Sequence, residues 1–209
     1  MKLRFIIPIL ILLLLCGCSY TEPEAVFTVT AIGCERVKNN AKLYLQITEN
    51  TQEKDEVVLV VGEGENFEEA LSDIRRGLSK KPSFSHCRFI AVSKNVTEKQ
   101  LSEVMNLCLK NGFPLHSTVA CTKNLTKLLD KTKQQTGEEI ASLIKENASY
   151  FGFGGHSALF EIKTALIVSA DKFALPLLTV ESDSIRVNGL HYFSNGIDQA
   201  TLKTEEAAL

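Results

Sequence analysis

Tryptophan is absent from this chain, aromatic residues make up only 7%, and neither sign of charge dominates, with 23 basic residues against 25 acidic. There is no dense basic cluster. Proteins that grip nucleic acid concentrate positive charge on one face and stack bases on aromatic rings, so this composition excludes nucleic acid as a partner. No C-x-x-C motif and no paired Cys/His spacing occurs, so nothing supports a zinc site. Carboxylates are scattered, and none forms an acid/base pair by spacing. Internal repeats and low-complexity segments are missing as well.

Long apolar runs are also missing, apart from one at the amino end. Lys2 and Arg4 precede the run Phe5–Leu15, and Leu15-Cys16-Gly17-Cys18 follows it. A positive flank, a short apolar stretch and a small residue before the cut describe a secretory signal. Its eleven residues, interrupted by Pro8, fall short of the ~20 that a spanning helix needs. Leu15 three positions before Cys18 resembles the lipobox of bacterial lipoproteins. That resemblance implies cleavage before Cys18 and lipid on its side chain, an anchor rather than a span. Plain secretion and an uncleaved anchor are the alternatives. The expected organisation is a leader over 1–17, a polar tether over 18–25 and one folded body over 26–209. The formal charge of −2 becomes −4 without Lys2 and Arg4.

Cleavage would leave 192 residues, Cys18–Leu209, enough for a hydrophobic core without help from disulfides. Val26–Gly33 and Lys42–Thr48 alternate in polarity and predict two strands joined at Lys38–Ala41. Glu49–Glu56 reads as a charged loop. Val57–Val61 is continuously apolar and predicts a strand buried on both faces. A helix should start at Phe67, capped by Asn66 with Glu68 and Glu69 in its first turn, and end near Lys80, with Pro82 closing the segment. A strand is expected over Cys87–Ser93. Thr97 with Gln100 reads as a capping box opening a helix to Leu109, with Leu101, Val104, Met105 and Cys108 inward and Gly112-Phe-Pro114 after it. Further on come a strand over Leu115–Thr122, helices over Asn124–Thr132, Gly137–Asn147 and Ser157–Val168, and strands over Phe173–Val180, Ser184–Val187 and Gly189–Phe193. Asn195-Gly196 is a turn signal. Mixed strands and helices without a strict βαβ repeat predict an α+β fold, a mixed sheet flanked by helices in a single domain.

Several motifs mimic chemistry. Val57–Val61 followed by Gly62-x-Gly64-x-x-Phe67 imitates a dinucleotide-binding turn. Phe67 stands where Gly or Ala is usual, and Glu63, Glu65, Glu68 and Glu69 would repel a pyrophosphate, so a glycine-rich strand-to-helix turn is the better reading. His86-Cys87 is the only adjacent His/Cys pair, but neighbours in a strand point to opposite faces. Gly152–Gly155 with His156 reads as a hinge loop. Three sequon-like triplets, at Asn95, Asn124 and Asn147, read as helix caps. Cys34, Cys87, Cys108 and Cys121 are widely spaced in apolar contexts, as buried thiols are, and a disulfide is the alternative an exported chain allows. No catalytic residue, cofactor site or metal site is expected.

Taken in order, these segments resemble the N-terminal domain of the Ger(x)C-type spore germination lipoproteins, the C-subunits of nutrient germinant receptors. The residues that carry the resemblance are Cys18, Ala31-Ile32-Gly33, Gly62–Leu71, Ser85–Ser93, Lys127–Leu129, Leu175–Leu178, Gly189–Phe193 and Thr204–Leu209. Ser19-Tyr20 stands where the family usually has Trp-Asp, and Cys34 where an aspartate often follows. The chain ends where the family's first domain gives way to others, which reads as a truncated or single-domain relative. The resemblance implies a non-enzymatic lipoprotein with Cys18 as the lipid attachment site, on the extracytoplasmic face of the inner spore membrane. Its implied partners are integral membrane receptor subunits and the membrane itself. A lipid-anchored solute-binding protein and a lipid-anchored hydrolase are the alternatives.

Overall fold

Local signals in the sequence become one sheet with helices on both faces. A computed structural model describes residues 26–50, 55–133, 137–148, 157–168, 172–181, 184–194 and 201–202. In chain order the elements begin with β1 (Val26–Val37), β2 (Asn40–Asn50), β3 (Asp55–Gly64), α1 (Phe67–Gly77), β4 (Lys81–Ser83), β5 (Phe89–Ser93) and α2 (Glu98–Lys110). They continue with β6 (Thr118–Thr122), α3 (Leu125–Thr132), α4 (Gly137–Ala148), α5 (Leu159–Ile167), β7 (Lys172–Glu181), β8 (Ser184–Ser194) and β9 (Thr201–Leu202). The strand order is β3-β2-β1-β5-β6-β7-β8-β9, with β4 beside the start of β1. β1, β5, β6 and β7 run parallel, and antiparallel strands continue the sheet on either side. The expected α+β class, with a mixed sheet flanked by helices, is what forms. The leader, Cys18, the tether up to Ala25, the loop 151–156 and the Asn195-Gly196 turn lie outside the described residues.

A bulge in β1 decides which side chains face which layer. Val29 pairs with Ile47 but Ala31 pairs with Gln46, so Thr30 is an extra residue and the alternation changes phase there. Val29, Ile32 and Cys34 join one core with Phe67, Leu71 and Ile74 of α1, Leu101 and Met105 of α2, and Leu159 and Ile162 of α5. Ala31 faces the other core, with Ala91, Ala120, Leu125 and Leu129 of α3, and Ile140 and Ile144 of α4. Small residues on that face let α3 lie close to the sheet. A Cβ on Gly33 would sit 2.6 Å from Leu129 Cδ1 and 3.0 Å from Leu125 Cδ2.

The helix signals read from the sequence hold. Asn66 Oδ1 accepts the Glu69 N–H at 2.9 Å, and Thr97 and Gln100 form the reciprocal capping box. Asn124 Oδ1 accepts the Lys127 N–H at 3.0 Å. Neither Asn95 nor Asn147 is a cap: Thr97 caps α2, and Asn147 lies in the last turn of α4, where its amide donates to the Leu143 carbonyl at 2.7 Å.

Other expectations need correction. β3 is an edge strand rather than a doubly buried one: Val57–Val60 are half-buried and Val61 is 44% exposed. The charged loop is shorter than read, because β2 and β3 pair out to Asn50↔Asp55. The first helix ends at Gly77, and Pro82 lies within the unanticipated β4. Leu115 precedes β6 instead of opening it, and is 56% exposed. β8 runs unbroken through Gly189, where φ is +117° and Asn188-Gly189 bulge opposite Leu177.

Candidate functional site

The four described cysteines lie buried, where none can act as a nucleophile. His86 is exposed in the turn before β5, while Cys87 beside it is buried with its thiol 3.5 Å from the Phe89 carbonyl. The pair therefore lies in a turn rather than in the strand read from the sequence, and it still does not converge. Burial pushes the Cys87 thiol from its ordinary 9.0 up to about 12. Burial likewise raises Cys121 to about 12, and raises Cys34 and Cys108 further. A thiol that stays protonated is neither nucleophile nor metal ligand. All four are free, so the buried-thiol reading holds and the disulfide alternative falls. They should resist a thiol-alkylating reagent at pH 8 in the native protein and react once it is unfolded. Rapid labelling of any one without unfolding would contradict this placement.

The Gly62-x-Gly64 turn is structural. A Cβ at Gly62 would lie 2.3 Å from the Ala70 carbonyl oxygen, and one at Gly64 2.7 Å from the Ala70 nitrogen. These glycines let α1 rest on the end of β3, which leaves no room for a pyrophosphate. Among the described residues no three His, Cys, Asp or Glu side chains converge as metal ligands would.

One cleft opens at the carboxyl ends of β6 and β7, where open α/β sheets commonly bind ligands. It encloses about 240 Å³ between Thr122, Lys123, Asn124 and Lys127 on one side and Leu178–Glu181 on the other. The Asn124 cap directs α3 along one wall. The Lys127 ammonium donates to the Val180 carbonyl at 3.1 Å, and Thr179 Oγ1 donates to the Glu181 carboxylate at 3.4 Å. These polar groups are largely occupied with one another. The volume is below the ~300 Å³ at which small-molecule pockets usually start, and its one carboxylate, Glu181, accepts from Thr179. The sequence reading missed this cleft because its walls lie fifty residues apart in the chain; Asn124 capping a helix after an apolar strand was the available signal.

Cys18, the expected lipid attachment site, lies outside the described residues. Among the residues described, no helix is long and apolar enough to cross a membrane. No curated protein and no solved structure matches the chain. The family described as the spore germination protein N-terminal domain matches residues 19–180. β8 and β9, which continue the sheet beyond β7, lie beyond that match. With most of its length matched from the residue after Cys18 into β7, the chain belongs to the spore germination protein N-terminal domain family.

Proposed function

We propose that this protein is a non-enzymatic, lipid-anchored subunit of a spore nutrient germinant receptor. Cys18 carries the lipid, and the folded body sits on the extracytoplasmic face of the inner spore membrane beside integral membrane subunits. The observation that carries this reading is the family match beginning at Ser19, immediately after the lipobox cysteine. Two features support it. The described residues hold buried, inert thiols in place of an activated nucleophile. They also form a single sheet, whereas a solute-binding protein encloses its ligand between two lobes.

A pull-down of the tagged protein from spore inner membranes tests the reading, with Cys18→Ser as control. The expected result is co-recovery of integral receptor subunits with the native chain, and loss of both membrane retention and partners with Cys18→Ser. A variant that fractionates with membranes as the native protein does would sink the lipid anchor. Recovery of the native chain from membranes without partners would sink the receptor role.

A further inference from the structure

We propose that the amino-terminal edge of the sheet lies flat against anionic phospholipid, through a basic strip of Arg75, Arg76, Lys80 and Lys81 and the apolar pair Leu115 and Phe160. The orientation relative to the anchor rests on the lipid-anchored reading of Cys18.

The strand directions define the edge. β1, β5 and β6 share the paired row Ala31–Phe89–Thr118, so residues just before that row lie on one side of the sheet. Val26, where the tether joins the fold, pairs with Lys81 at that edge. Lys80 lies there too, its ammonium 5.6 Å from the Phe27 ring. Arg75 and Arg76 form the last turn of α1, just upstream. At ~3.3–3.6 Å per residue, the chain from Cys18 to Val26 spans at most about 29 Å. A lipid on Cys18 would keep this edge leashed to the bilayer.

Charge and exposure then choose the contact. Arg75-Arg76-Gly-Leu-Ser-Lys80-Lys81 holds four cations and no acid within seven positions, and all four are exposed. Arg76 pairs with Asp73 at 2.9 Å. Arg75 is held by the neutral amide of Asn111, and Lys80 by an aromatic face, so their charge is not cancelled by those contacts. The run is short in sequence, and the pairing of Val26 with Lys81 places it beside the start of β1. Farther along the same edge, Leu115 is 56% and Phe160 50% exposed, joined by the Phe160 N–H to the Leu115 carbonyl at 3.1 Å. Apolar side chains beside a basic strip suit the headgroup–acyl boundary. The β2–β3 corner, where Glu49 pairs with Glu56 and Asn50 with Asp55, lies beyond Thr48 and outside the proposed contact. One acyl chain alone holds a protein only reversibly, and a polybasic surface is a usual second signal.

The test is co-sedimentation of the full lipidated chain with phosphatidylcholine vesicles, alone or containing phosphatidylglycerol. Binding to neutral vesicles reads the acyl chain; the increment on anionic vesicles reads the strip. The expected increment disappears at high salt, and Lys80→Glu/Lys81→Glu weakens anionic binding by at least about 30-fold while leaving neutral binding unchanged. Lys94→Glu/Lys99→Glu, with the same charge change at the opposite edge just after β5 and at the start of α2, should have little effect. Equal binding to both vesicles, an increment insensitive to salt, or equal losses from the two charge reversals would overturn the proposal. Salt-sensitive binding to anionic vesicles alone would support the strip and count against the lipid on Cys18.

Discussion

Raising the pH from 8 to 10 should destabilise this protein by about 5 kcal/mol, mostly through its four buried cysteines. In the folded state burial holds Cys34, Cys87, Cys108 and Cys121 well above the ordinary thiol value of 9.0, with Cys87 and Cys121 near 12. In the unfolded chain the same thiols ionise near pH 9. Below that value both states keep their protons, and the thiols contribute no pH dependence. Above it the unfolded state releases protons that the folded state retains, so stability falls by roughly 1–2 kcal/mol per thiol by pH 10. Tyr44 acts in the same direction: burial, and then the hydrogen bond its hydroxyl donates to the Glu35 carboxylate, raise its ionisation above the usual range. Thermal unfolding followed across pH 7–10 checks this, with a variant carrying alanine at all four cysteines as comparison. The native curve should fall steeply above pH 9 and the variant's should be much flatter. Parallel curves would mean that the thiols are not buried together in the folded protein.

Gly62→Val should be the most damaging single change on the α1 side of the sheet, at about 3 kcal/mol or more. The first added carbon alone would meet the Ala70 carbonyl oxygen at 2.3 Å and the Ile74 nitrogen at 3.1 Å. These are backbone atoms and cannot rotate away. The helix must lift, and Phe67, Leu71 and Ile74 then lose part of their burial. Gly77→Ala is the matched control. Nothing lies within 4 Å of its added carbon, and it sits at the end of the same helix. That change should be neutral or stabilise by about 0.5 kcal/mol through a smaller entropy loss on folding. Urea unfolding of the two variants separates the explanations. Similar midpoints for both would show that Gly62 is not a packing position.

Most of the helices were legible because their signals are local. Asn66, Thr97 with Gln100, and Asn124 each announce a helix through bonds that span three residues, and the inward faces at Leu101, Val104, Met105 and Cys108 follow from spacing alone. What escaped depends on neighbours distant in sequence. Val57–Val61 reads the same whether a strand is sandwiched or at an edge; among the described residues no strand lies beyond β3, and Val61 is exposed there. Gly189 looked like a break because its accommodation by a bulge opposite β7 is a property of the pair. The glycines of β3 imitated a phosphate loop because both uses need a backbone without a side chain; the helix lying on them decides which. The cleft beside Asn124 combines the end of β6 with that of β7, and no window of sequence contains both.

The strand order also dictates how the chain must find its fold. β1–β2–β3 and β7–β8 are antiparallel wings whose partners are neighbours in sequence, so each has a short loop to close. The parallel seam between them joins Ala31 to Phe89 and Cys121 to Leu177. Those contacts close loops of more than fifty residues, and topology of that kind slows folding. The seam also divides the two cores, so neither face is complete until it closes. Refolding speed should therefore follow changes in β5 and β6 more closely than changes in the hairpin turns, and the wings alone cannot hold the molecule together.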